Sequence, residues 1–416
     1  MRLLGLAHTW DLIGGSERYA RAAVEELCSR GHTLRLLGAV GEQAAPAGLE
    51  LVHEPAWGDP RADAAARAGL AARARAWAPD AALVLSARSE PAFAALAAAL
   101  PTARFVQDHT PFCPGSNKLR GDGSPCRAPL GAACLREHLA HGGCAGFGAR
   151  AGQAGTAAVL GALRKQLAAL DGLNRAERVL VASRHMRREL LAAGVAPERV
   201  ARVPYFTRSG ELPRDEPGRA TREFLAARDG PWVLAPARLV LPDKGLDHLL
   251  AALARCRPRL RAVVVGDGPA RGALEARARE LGLAARVHFT GWLPSEVLET
   301  LYAACDLVAF PSVWDEPFGL VGLEAMAHAK PVAAFDVGGV RDWLAPGRTG
   351  ELVPRGDDAA LARALERLAG APERARRMGE LGARRARRRF GVGRAVDALE
   401  AELARTAAAS PARRAS

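Results

Sequence analysis

The feature that most limits what this chain can fold into is an alternation that runs, breaks off and runs again. Short stretches rich in Leu, Val and Ala alternate with longer Ala/Leu/Arg stretches whose apolar residues recur at helical spacing. Short apolar runs suit strands buried on both faces, and their alternation with helices suits a parallel sheet covered on both sides. The first series predicts strands at 3–8, 33–40, 82–86, 104–107, 179–183 and 200–205, with helices such as 16–30 and 184–193. The second predicts strands at 232–235, 262–266, 287–290, 307–310, 331–335 and 351–353. Its helices are expected at 245–256, 270–281, 294–304 and 320–329.

Between the two series, S-G-E-L-P-R-D-E-P-G at 209–218 has Pro, Gly and charge but no apolar period, which reads as a linker. A chain of 416 residues exceeds one typical domain. The expected division is therefore a first α/β domain at 1–208, a linker at 209–230 and a second at 231–390. A helix and tail follow at 391–416. In that helix Val392, Val396, Leu399 and Leu403 form one apolar stripe. Ligands of doubly wound, Rossmann-like sheets bind outside the carboxyl ends of the strands. Two such units facing each other are expected to form a cleft.

A formal charge of +13 points to an anionic partner: nucleotide phosphates, acidic lipid or nucleic acid. An aromatic content of 5% leaves few platforms for stacking bases. Much of the excess lies in Arg374, Arg376, Arg377, Arg384, Arg385, Arg387, Arg388 and Arg389, where a solvated helix face is the plain reading. No apolar run approaches the ~20 residues of a membrane span. The start reads as a strand rather than a signal segment, so a cytoplasmic location is expected. Cys28, Cys256 and Cys305 read as small core residues. Cys113, Cys126, Cys134 and Cys144 crowd together without a C-x-x-C pair. Disulfides are disfavoured in the cytoplasm, and a structural metal is one reading of the cluster.

The chemistry concentrates in F-P-S-V-W-D-E-P-F-G-L-V-G-L-E-A-M at 310–326. Pro311, Pro317 and Gly319 hold off regular structure until a helix begins near Leu320. The backbone N–H groups of Phe318, Gly319 and Leu320 then form an anion site at a helix N-terminus. Glu316 and Glu324 bracket that site. They either cap the helix or bind a hydroxyl-bearing ligand such as a sugar. In A-R-L-V-L-P-D-K-G, Arg238 and Lys244 offer a fork and a point charge suited to a diphosphate. Fixed cations also stabilise charge on a leaving diphosphate. G-D-G-P (Gly266, Gly268) and F-T-G-W-L (Trp292, Leu293) are strand-end turns that can offer groups to a nucleobase. D-V-G-G-V-R-D at 336–342 reads as a tight turn packing a helix. Gly14 and Gly15 allow a ligand close to a helix N-terminus, or form an ordinary tight turn.

In order, A-R-L-x-x-x-D-K-G, V-G-D-G-P, F-x-G-W-L, P-S-x-W-x-E-P-F-G-L-V-G-L-E-A-M-A and G-x-T-G-x-L-V-P resemble the retaining glycosyltransferases of family 4, which have the GT-B fold. The resemblance covers nearly the whole chain. It implies a nucleotide-sugar donor, with Arg238 and Lys244 on the diphosphate, Glu316 on sugar hydroxyls and Glu324 on the ribose. Phe318, Gly319 and Leu320 would complete the phosphate cradle, with Gly14 and Gly15 beside it. It implies a last helix that packs back on the first domain, and catalysis without a metal. In F-V-Q-D-H-T-P-F-C-P, alignment through Asp108 and Cys113 puts Gln107 where the family has a histidine. His109 lies on the same side of a strand as Gln107; it replaces that group or is a loop histidine, and Asp108 is a further candidate for a substrate hydroxyl. The cysteines at 113–144 would belong to an insert of one branch that shapes the acceptor site, with a structural zinc as the sharper version.

Family members often act on lipid-linked sugars at the inner face of a membrane. Arg61, Arg67, Arg73 and Arg75, with Leu70 and Trp77, fit either a peripheral basic helix or an ordinary exposed one. The expected activity is hexose transfer from a nucleotide diphosphate to a carbohydrate or lipid-linked glycan, with no nucleic-acid partner. The rival readings are a nucleotide-sugar 2-epimerase on the same architecture and a basic nucleic-acid-binding protein.

Overall fold

The computed structural model describes residues 1–10, 14–39, 45–59, 62–87, 89–120, 122–140, 156–227, 230–256 and 260–409. The chain divides into two compact units, Met1–Tyr205 with the segment from Val392 on, and Phe206–Gly391.

The first unit contains β1 (Arg2–Thr9), β2 (Thr33–Ala39), β3 (Leu49–His53), β4 (Ala81–Val84), β5 (Thr102–Phe105), β6 (Arg178–Val181) and β7 (Val200–Arg202). They form a parallel sheet in the order β3-β2-β1-β4-β5-β6-β7. The second contains β8 (Trp232–Pro236), β9 (Arg261–Val265), β10 (Val287–Gly291), β11 (Leu307–Phe310), β12 (Val332–Phe335) and β13 (Gly350–Val353). Its parallel order is β10-β9-β8-β11-β12-β13. The α/β class and both doubly wound sheets agree with the sequence reading. Strands β4, β5, β11 and β12 are buried along their whole length, which is what an apolar run without alternation demands. In each sheet the strand order reverses once, between β1 and β4 and between β8 and β11. Such switch points open a crevice at the carboxyl edge.

Strand β3 escapes the periodicity argument because it is an edge strand with only Leu49 buried and Glu50 and His53 exposed. The 209–230 stretch is more than a connector. It carries the helix Arg219–Ala226, whose Thr221 lies 3.1 Å from His288 Nε2 and whose Phe224 stacks on the same ring at 5.2 Å. Two contact residues among many charged ones leave no readable apolar stripe. The helix Val392–Ala408 sits in the first unit, with Val396, Leu399 and Leu403 buried. Arg30 binds its Asp397 at 2.6 Å and Glu400 at 2.7 Å, and Arg178 binds Glu402 at 2.7 Å.

The arginine-rich helix Pro372–Phe390 is not solvated throughout. Arg385 donates to the carbonyls of Trp343 (2.7 Å) and Asp342 (3.0 Å), while Arg377, Arg384, Arg387, Arg388 and Arg389 are exposed. In the helix Ala64–Ala76, Leu70 is buried in the core, and the ring of Trp77 just beyond meets the guanidinium groups of Arg2 and Arg35 at 5.0 and 5.1 Å. Arg73 pairs with Glu54, and Arg61 lies outside the described residues. Among the described residues no helix is long and apolar enough to cross a membrane.

Where the chain enters the second unit, buried Glu299 accepts bonds from Ser209 Oγ (2.5 Å) and Gly210 N (2.6 Å) and meets His328 Nε2 at 2.8 Å. Burial pushes this carboxyl up, but the bonds from His328, Ser209 and Gly210 outweigh it and hold the group below its ordinary range. A lowered folded pKa gives stability that is full above the unfolded value of about 4.3 and is lost as pH falls through the folded one. Glu299→Gln is expected to cost about 1–3 kcal/mol at neutral pH. In denaturant titrations the gap to wild type should narrow towards about pH 3; a gap insensitive to pH refutes the assignment.

Candidate active site

Because the second sheet is all parallel, the loops after its six strands emerge at one edge. Two of them flank the switch point. The loop after β8 carries Arg238 and Lys244, and the loop after β11 runs from Pro311 to Gly319. They interlock through their backbones. The Asp243 carbonyl accepts from Val313 N (3.0 Å) and Trp314 N (3.2 Å), with Ser312 Oγ at 2.9 Å. Gly245, at φ +57°, lies so close to Pro311 that a Cβ would stand 2.0 Å from its carbonyl oxygen.

That interlock brings Lys244 Nζ to 2.6 Å from Glu316 Oε1, with side chains 16% and 6% exposed. Ser312 Oγ lies 2.7 Å from the same oxygen, and the ammonium sits 4.9 Å from the centre of the Trp314 ring. A buried carboxylate is tolerable when a cation and hydrogen-bond donors meet it. Oε1 takes both contacts, so Oε2 makes no hydrogen bond among the described residues. The loop after β11 is irregular, as its prolines and Gly319 suggest, and buried from Pro311 to Phe318. The cause lies in neighbours remote in sequence. Asp315 is paired with Arg355 after β13 and accepts from Gly338 N at 3.2 Å, while Gly339 N donates to the Glu316 carbonyl at 2.7 Å. The 336–342 run is therefore a clamp on the Glu316 peptide as well as a turn.

The helix Leu320–Ala327 follows a left-handed Gly319 (φ +93°). Trp343 Nε1 donates 2.7 Å to the Phe318 carbonyl and so orients the turn, and Phe318 itself is buried against Phe390. Glu324 is buried and receives the Tyr302 hydroxyl at 2.9 Å. The turn at Gly266–Gly268 lies along residues 237–239, with Ala237 N bonded to Val265 O and Leu239 N to Asp267 O, both at 2.9 Å. Arg238 is exposed there, and its guanidinium has no partner among the described residues. Gly266 N donates to Gly291 O at 2.9 Å, which sets Trp292 (62% exposed) and half-buried Leu293 beside the same turn.

In the first unit, Gly14 and Gly15 stand at the start of the helix Gly15–Ser29, beyond β1. Asp108 is exposed after β5, its Oδ1 accepting from Thr110 N at 2.8 Å. Burial raises the Tyr205 hydroxyl pKa, and nearby Tyr19, Asp108 and Glu17 raise it further. His109 is fully buried, with its Nε2 3.5 Å from His185 Nε2 and its ring against Phe112. Gln107 Nε2 is buried without a hydrogen-bond partner among the described residues. Cys113, Cys126 and Cys134 are buried free thiols, and Cys144 lies outside the described residues. Burial raises the Cys113 thiol, and burial with Cys113 and Cys126 nearby pushes Cys134 up to about 11. Among the described residues no three His, Cys, Asp or Glu side chains are arranged to hold a metal.

Comparison with known proteins places this architecture. Residues 13–207 match the family described as Glycosyltransferase Family 4, and residues 219–385 match Glycosyl transferases group 1. The chain belongs to the family-4 glycosyltransferases. It is 34% identical over 214 residues to alpha-D-kanosaminyltransferase of Streptomyces kanamyceticus, covering 50% of this chain and 55% of that protein. It is 41% identical over 170 residues to D-inositol 3-phosphate glycosyltransferase of Stackebrandtia nassauensis, covering 38% of each. The chain thus spans about half or less of the length of the curated relatives it matches. The crystal structure of Anabaena HepE in complex with UDP and glucose matches with a TM-score of 0.70 at 22% identity, over 97% of this chain and 99% of that one. The fold is GT-B.

Gly338, at φ +48°, lies so close to the Glu316 carbonyl that a Cβ would stand 2.2 Å from its oxygen. Gly338→Ala is expected to destabilise the second unit by about 1–3 kcal/mol, measured by denaturant unfolding. An alanine variant as stable as wild type shows that the clamp is slack.

Proposed function

We propose that the chain transfers a hexose, with retention of configuration and without a catalytic metal, from a nucleotide diphosphate to a carbohydrate or lipid-linked glycan. The observation that carries this reading is the Lys244–Glu316 contact at the switch point, where each partner keeps capacity for a ligand. An ammonium has three N–H groups, so Lys244 can hold Glu316 and still donate to phosphate oxygens. Glu316 Oε2 is the acceptor left for a sugar hydroxyl. Arg238 adds a fork unpaired among the described residues, and the N–H groups of Phe318, Gly319 and Leu320 add a helix terminus. Glu324 suits the ribose, and the Gly266–Gly268 turn with Trp292 and Leu293 suits the base. In the first unit, exposed Asp108 and the Gly14-Gly15 turn suit the acceptor and the phosphates.

In the reaction, the acceptor hydroxyl oxygen bonds to the anomeric carbon on the face from which the leaving group departs. The bond from that carbon to the phosphate oxygen breaks, and a phosphate oxygen takes the hydroxyl proton. The products are a glycoside and a nucleoside diphosphate. Lys244 and Arg238 act on the charge that gathers on the leaving diphosphate. Family membership supports this reading, as do relatives named for sugar transfer and the UDP and glucose bound by HepE.

A panel of UDP-, GDP- and ADP-hexoses should contain at least one that raises Tm and is slowly hydrolysed without acceptor. Lys244→Ala and Glu316→Ala should each lower turnover of that donor by ~10²-fold or more. Near-full activity in both variants overturns the site. An isomerised donor with no mass added to any acceptor overturns transfer in favour of epimerisation.

A further inference from the structure

We propose that Arg355 is a positioning residue for this reaction, acting through Asp315 to fix the peptide that carries Glu316. The inference rests on the donor-site reading above. Arg355 follows β13, the edge strand of the second sheet, and reaches past the loop after β12 to Asp315 in the loop after β11. The Arg355 side chain is 17% exposed and that of Asp315 4%. Asp315 Oδ1 also accepts from Gly338 N at 3.2 Å, and the next residue's carbonyl accepts from Gly339 N at 2.7 Å. Residues 315 and 316 are thus held from the ends of β12 and β13. The Glu316 carboxylate is held from the other side by Lys244 at 2.6 Å and Ser312 at 2.7 Å.

Adjacent Cα atoms are fixed ~3.8 Å apart, so a shift of Asp315 carries Glu316 with it. Without Arg355, the deeply buried Asp315 carboxylate loses its cationic partner, and the loop relieves this by moving towards water. A displacement of about 1 Å at a group that orients substrate is enough for a large loss of rate. Arg355 Nη1 is itself buried without a hydrogen-bond partner among the described residues. A direct contact with the donor is therefore the rival role, and the test has to separate the two.

Arg355→Met, Arg355→Lys, Asp315→Asn and the double variant Arg355→Met/Asp315→Asn are compared on the donor selected by the panel. Arg355→Met should lower kcat about 10- to 100-fold with a smaller change in KM, and Arg355→Lys should recover part of it. The double variant should recover most of the loss, because it removes the buried charge together with its cationic partner. A double variant as impaired as Arg355→Met means that Arg355 meets the substrate itself, and overturns the proposal. So does an Arg355→Met enzyme within about twofold of wild type in kcat and KM. A crystal structure of the Arg355→Met protein needs no donor and should show Lys244 Nζ and Glu316 beyond hydrogen-bond distance. Contact retained at 2.6 Å refutes the positioning role even if the panel yields no donor, an outcome that would sink the transferase reading separately.

Discussion

Glu316 is a carboxylate taken almost wholly out of water, and the second unit is arranged around the cost of putting it there. An ionised group with 6% of its side chain exposed has to be met by charge and hydrogen bonds. Lys244 supplies the charge and Ser312 the hydroxyl, and both are delivered by backbone interlocks rather than by their own flexible stems. Those interlocks need bare backbone: Gly245 lies against Pro311, and Gly338 against Glu316. They also need three strand ends side by side at one edge. A parallel sheet whose order reverses between β8 and β11 provides that arrangement.

The same physics explains what the sequence disclosed. Strands such as β11 and β12 are short, apolar and buried on both faces, so composition alone betrays them. Edge strand β3 and the helix Arg219–Ala226 contribute few apolar contacts each, and their polar majority reads as loop. Lys244 and Glu316 were legible because strand-end motifs announce them. Their supports were not, because the partners are far apart in the chain. Asp315 and Arg355 are separated by 40 positions, Phe318 and Trp343 by 25, and His109 and His185 by 76. No local pattern distinguishes Arg355 from the many other arginines of this chain.

The first unit shows the limit of a residue-type argument. A histidine next to an aspartate after β5 reads as a pair of equivalent candidates, yet the fold treats them oppositely. Asp108 closes a short turn at the surface, whereas His109 turns inward onto Phe112 and His185. Side-chain alternation puts Gln107 and His109 on one side of a strand, but β5 ends at Phe105, before either residue. Past that point the period of two no longer applies. Turn geometry decides which group faces out, and it selects Asp108.

Net charge has to be read the same way. The +13 total counts guanidinium groups without asking what they are doing. Arg104 is bound to Glu90 inside the first unit at 2.5 Å, Arg355 is bound to Asp315, and Arg385 serves two backbone carbonyls. These are structural cations whose fields are largely spent on their partners. Arg238, by contrast, stands exposed and unpaired among the described residues at the carboxyl edge, in the same loop as a lysine with donors to spare. A diphosphate needs a few cations at the right place, and placement is set by loop backbones, not by the total. The anionic partner suggested by the overall charge is therefore better identified from those two residues than from the arginine-rich helix that contributes more to the sum.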